Sequence, residues 1–146
     1  MPRLSISYRR ADTAPITGRI FDRLNQYYGE NSVFRDIDNI PAGVDFRKHV
    51  SAALGKSDVL LAIVGEQWLS ASKDGQSRLH NEKDHVRIEV ETALQRNIPI
   101  IPVLIGNATM PDAQQLPPSL QDFAYYNGVR VDPEKDFNHH IRPPDS

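Results

Sequence analysis

The chain alternates short apolar runs with longer stretches in which apolar residues recur every three or four positions, the pattern of strands separated by amphipathic helices. "LSISY", Leu4 to Tyr8, predicts a first strand, and Ile16, Ile20, Leu24 and Tyr27 predict a helix from about Pro15 to Tyr28. "SVFRD", Ser32 to Asp36, predicts strand two; a loop, "IDNIPAGV", leads to a helix over Asp45 to Leu54. "DVLLAIV" from Asp58 is continuously apolar, as expected of a central parallel strand covered on both faces. Polar "SASKDGQSRLHNEKD", Ser70 to Asp84, reads as a surface loop before a helix through "DHVRIEVETAL". "IPIIPVLI", Ile98 to Ile105, predicts strand four, its two prolines pushing it toward a sheet edge or an irregular strand end. A short helix over Gln114 to Phe123 and a last short strand, "NGVRV", complete an α/β order with a parallel sheet.

With 146 residues, 39% of them hydrophobic, the chain holds about one domain with one well-buried core. Seventeen Lys and Arg against nineteen Asp and Glu give a charge of −2, so nothing recruits nucleic acid or an anionic membrane in bulk. The absence of cysteine excludes disulfides and thiolate metal sites, and no metal site is expected. "MPRLSISYRR" lacks the apolar run of a signal peptide, and the apolar runs are too short to span a bilayer, so a cytoplasmic protein is expected. The domain should occupy residues 1–133; residues 134–146, rich in proline and charge, read as a tail or the start of a linker to a further domain.

In doubly wound sheets a ligand crevice lies at the carboxyl ends of the strands. Arg9, Arg10, Asp36, Asp38, Glu66 and Trp68 follow the first three strands and should share one rim. Guanidinium groups there suit a phosphate, though two adjacent arginines also serve as a solvated strand end. On a helical wheel at about 100° per residue, Val86, Val90, Ala93 and Leu94 define the core face of their helix. Glu89 falls at that face's margin, His85 one turn before it, and Glu91 points to water. A marginal carboxylate can reach a crevice, where partial desolvation would raise its pKa; it can equally pair with a nearby arginine. Dinucleotide-binding and phosphate-loop glycine motifs are missing. Histidines 49, 80, 85, 139 and 140 lack ligand spacing, and a phosphate-switched receiver would need an aspartate ending the central strand, which "DVLLAIVGEQ" does not supply.

"SISYRRADT", "VFRDIDNIPAGVDF", "ALGKSDVLLAIVGEQWL", "DHVRIEVETALQRNIPIIPVLI" and "LPPSLQDFAYYNGVRV" follow one another in the order and spacing of a bacterial-type Toll/interleukin-1 receptor (TIR) domain, and the chain resembles that family over residues 3–132. The resemblance implies a flavodoxin-like, three-layer α/β fold with a central five-stranded parallel sheet. It identifies "DIDNIPAGVDF" with the BB loop, which contacts neighbouring TIR domains and can cover a nucleotide pocket. In the NAD-consuming branch a glutamate on the helix after the third strand is catalytic, and it matches Glu89 rather than Glu91. Tyr8, Arg9, Arg10, Asp38 and Phe46 would then contact substrate, and His85 stands where many active relatives carry tryptophan. Trp68 is expected to pack. NAD+ would be the substrate, with no separate cofactor, and the product would be ADP-ribose or a cyclic isomer. Other TIR protomers, in a homo-oligomer or filament through the BB loop, and a fused or separate sensor module are the implied partners, with no direct nucleic-acid or membrane contact. The family also contains non-enzymatic interaction scaffolds and mimics of host signalling, for which Glu89 has no catalytic use.

Overall fold

The computed structural model describes residues 2–29, 31–35, 39–70, 72–73 and 76–133. Asp36, Asp38 and the tail at 134–146 lie outside the described residues. Five strands, β1 (Leu4–Ser7), β2 (Val33–Phe34), β3 (Val59–Val64), β6 (Ile100–Ile105) and β7 (Val129–Val131), form a parallel sheet in the order β2-β1-β3-β6-β7. That is the doubly wound, flavodoxin-like order, with helix α1 (Arg10–Tyr28) on one face and α2 (Phe46–Gly55) and α3 (His85–Gln95) on the other. The three layers are visible in the core, which the sheet divides in two. Leu4, Ile6, Leu61 and Ile63 pack with Ile16, Ile20 and Leu24 of α1. On the opposite side Leu60, Ala62 and Val64 pack with Val50 and Leu54 of α2 and Val86, Val90 and Ala93 of α3. Alternate residues of β3 thus serve different layers, which explains why its sequence shows no polar alternation.

Several expected boundaries shift for identifiable reasons. Helix α1 begins at Arg10, not near Pro15, because it consists of two segments joined by a kink at Thr13 (φ −131°, ψ 18°). Pro15 falls in the first turn after the kink, where its missing N–H breaks no intrahelical bond. The Ser70–Asp84 segment is not a plain loop: it contains a small antiparallel pair, β4 (Ser72–Lys73) and β5 (Gln76–Ser77), and a 3-10 turn over Arg78–His80. The expected Gln114–Phe123 helix is instead two 3-10 segments, Ala113–Gln115 and Pro118–Tyr125, interrupted where Pro117 and Pro118 remove donors.

Strand β6 is interior, not an edge, despite Pro102. Leu60 N donates to Pro99 O at 2.9 Å, and the two-residue repeat of a parallel ladder then turns the odd-numbered residues of β6 toward β3. The missing donor of Pro102 therefore faces β7, whose pairing starts only at Val103. Helix α3 is stopped by Asn97, whose left-handed backbone (φ 57°) turns the chain into β6.

Candidate functional site

The C-terminal ends of the parallel strands open onto two separate crevices, so the single rim expected from the sequence is divided. One, of about 580 Å³, lies between the end of β1, the start of α1 and the segment entering α3; Tyr8, Arg9, Arg10, Asn39, Arg78, Asn81, Lys83, Asp84 and His85 line it. The other, of about 760 Å³, lies past β3, β6 and β7 and takes Glu66 together with Asp12, Asn107, Arg130 and Asp132. Trp68 belongs to neither: it is buried in the core with its ring centroid 5.4 Å from that of Phe123.

Basic side chains dominate the first crevice. Arg9, Arg10, Arg78 and Lys83 line it, and among the described residues its one carboxylate is Asp84. Arg9 engages that carboxylate bidentately, Nη1 donating to Oδ1 at 2.9 Å and Nη2 to Oδ2 at 2.8 Å, while its Nε donates to Trp68 O at 3.0 Å. The pair is nearly dry, with side chains 4% and 8% exposed. Asp84 also caps α3, accepting from Arg87 N at 3.2 Å. Arg9 thus lines the crevice, as expected, and is engaged in a clamp that joins the end of β1 to the start of α3. Arg10, Arg78 and Lys83 are exposed and leave the crevice positive, and it also meets the N-terminal turns of α1 and α3. Helix N-termini and guanidinium groups both favour anions.

Glu89 lies deeper than the wheel predicted. It is 2% exposed and does not line the crevice in this conformation. Its margin of α3 is covered by the end of β1, where Ser7 Oγ donates to Glu89 Oε1 at 2.8 Å. His85, one turn earlier, is exposed and stacks on half-buried Phe46 at 3.8 Å between centroids with 20° between planes. Residues four apart on a helix share a face about 6 Å apart, so the Phe46–His85 stack stands one turn from Glu89 at the crevice rim. Glu91 does not point freely into water: it is half-buried, accepting from Arg87 Nε at 2.9 Å and from the Ser119 hydroxyl.

Tyr8, Arg9, Arg10, Phe46, His85 and Glu89 therefore gather around one strand end, while Asp38 lies outside the described residues. Ser7, Arg78, Lys83 and Asp84 were missed. Ser7 had a signal: Ser5 and Ser7 alternate with Leu4 and Ile6, so a strand buried on both faces carries hydroxyls on one of them. Arg78 and Lys83 sat in a segment read as surface loop. Among the described residues, no cluster of three His, Cys, Asp or Glu can hold a metal ion, and no helix is long and apolar enough to cross a membrane.

The sequence profile of the TIR domain family matches residues 5–141, most of the chain. The chain belongs to the TIR domain family. Comparison with curated protein sequences finds no match. Among solved structures, this TIR domain is similar to the TIR domains in a structure of the activated Roq1 resistosome directly recognising the pathogen effector XopQ. The TM-score is 0.61 at 14% identity, covering 94% of this chain and 91% of that one, a likeness of fold.

Proposed function

We propose that this TIR domain cleaves the bond between nicotinamide and ribose in NAD+. The observation that carries the reading is a buried carboxylate, Glu89, on the helix whose first turn forms a wall of a cation-lined crevice. The C1′–N bond breaks heterolytically, its electron pair leaves with nicotinamide, and the ribose develops oxocarbenium character. An ionised Glu89 stabilises that positive charge, and Arg10, Arg78 and Lys83 hold the pyrophosphate. Water at C1′ gives ADP-ribose and a proton; an adenine nitrogen of the same molecule gives a cyclic isomer. Because Glu89 is covered in this conformation, substrate entry requires the residues around it to rearrange, and the Phe46–His85 stack stands one helical turn away. In this reading the domain is the effector of a prokaryotic antiphage system, switched on by self-assembly through the BB loop, and Phe46, at the end of that loop, couples assembly to access.

A second reading, a non-enzymatic TIR–TIR scaffold, draws on the same burial: a carboxylate satisfied by Ser7 and shut off from the crevice suits a structural residue. NAD+ turnover over a wide protein concentration range, with nicotinamide and the ADP-ribose isomers quantified, separates the two. Turnover rising faster than linearly and lost in Glu89→Gln is expected; no turnover from artificially clustered domains would favour the scaffold.

A further inference from the structure

We infer that Ser7 is the positioning residue of Glu89, its hydroxyl setting the orientation of the carboxylate and holding it as a hydrogen-bond acceptor. The catalytic part of this inference rests on the NAD+ reading; the contact itself does not. Ser7 and Glu89 are 1% and 2% exposed, and their hydrogen bond, 2.8 Å long, spans 82 residues of sequence. Burying a carboxylate away from water disfavours its charged form, and a donated hydrogen bond favours it. A hydroxyl has one proton, and this one is directed at Oε1.

The mounting of that donor is rigid. Ser7 pairs with Ala62 of β3 inside the sheet, so only χ1 and the rotation of the hydroxyl itself remain. The neighbouring hydroxyl on the same face, Ser5, is paired with Ser57 Oγ at 2.5 Å and anchors the strand to the turn after α2. The recipient is fixed as well, because the Arg9–Asp84 clamp pins the first turn of α3 to the residue two places beyond Ser7. Among the described residues two contacts thus join this end of the strand to the helix, one an ion pair and one the hydroxyl–carboxylate hydrogen bond that holds Glu89. An aliphatic residue at position 7 would suit a doubly covered strand better, so the hydroxyl makes sense through its partner.

The test uses the whole chain as Ser7→Ala, Ser7→Thr and Glu89→Gln variants. Carboxyl-labelled glutamate gives the Glu89 signal by carbon NMR, assigned by its loss in Glu89→Gln, and its titration is followed with pH. His85 and the Arg9–Asp84 pair, the titratable and charged groups named above, are unaltered in every variant. Ser7→Ala should raise the Glu89 midpoint by about one pH unit, the loss of one hydrogen bond to the charged form. In clustered domains kcat should fall about tenfold with KM within about twofold, and the acid limb of the pH profile should move by the same unit. Ser7→Thr, which keeps the hydroxyl, should restore both. If Ser7→Ala does not fold, Ser7→Cys, slightly larger and with a weaker donor, takes its place. A folded Ser7→Ala protein with an unmoved Glu89 midpoint and an unchanged kcat overturns the inference. A moved midpoint with no turnover in the parent chain would sink the NAD+ reading and leave the Ser7–Glu89 contact standing.

Discussion

Asp84→Ala removes the partner of a nearly dry guanidinium and, with it, the N-cap of α3. The Arg9–Asp84 pair makes two bonds, of 2.8 and 2.9 Å, at side-chain exposures of 4% and 8%, so solvent cannot take over the lost contact. Breaking a buried pair from one side costs about 3–5 kcal/mol, a figure large enough to absorb the roughly 1 kcal/mol of a lost cap. For a domain of this size that is a fall in Tm of roughly 10–16 °C. Asp84→Asn keeps the shape and the capping oxygen but loses the charge, and should cost about 2 kcal/mol. Urea unfolding followed by circular dichroism measures both, and a double-mutant cycle with Arg9→Met isolates the pair. The Arg9→Met/Asp84→Ala protein should be more stable than additivity allows by more than about 1 kcal/mol, because no lone charge is left buried. A loss below about 1 kcal/mol for Asp84→Ala, the size of an exposed ion pair, or an additive cycle would refute the clamp.

Trp68 tests the packing on the α3 side of the sheet. Its indole Nε1 has no hydrogen-bond partner among the described residues, so Trp68→Phe should cost less than about 1.5 kcal/mol, against about 3–5 kcal/mol for Trp68→Ala by the same unfolding assay. Phe46→Ala should remove the ring-current shift of the His85 Hε1 proton while lowering Tm by only a few degrees; an unmoved proton resonance would mean that the two rings do not stack in solution. Asp12, beside the second crevice, has its pKa raised, chiefly by burial and further by Glu66, against the lowering effects of the Gln67 N–H and Arg9. A raised carboxylate weakens folding as pH climbs from its unfolded pKa through its folded one, so Asp12→Asn should stabilise the domain at neutral pH. That gain should disappear on acidification below the unfolded value of about 4, and a pH-independent difference in Tm would contradict it.

Hydrophobic periodicity alone determined the order of the main strands and helices and the parallel sheet, because apolar runs and helical spacing report local burial. The doubly covered β3 and the core face of α3 were legible for that reason. The ordered sequence blocks added the family, and the expectation that Glu89 rather than Glu91 is catalytic. Which residues meet across the sheet could not be read this way. A wheel places Glu89 at a helix margin, but only the docking of α3 on β1 decides that this margin is buried and that Ser7, 82 positions earlier, faces it. In sequence Arg9 and Arg10 could not be told apart, each being suited to a phosphate or to a solvated strand end. In the fold both line the crevice, but Arg9 is nearly buried on Asp84 while Arg10, opening α1, is exposed. Proline likewise misled at Pro102: its cost depends on which side of the ladder the missing N–H faces, and that is fixed by register with β3 and β7, a property of three strands together.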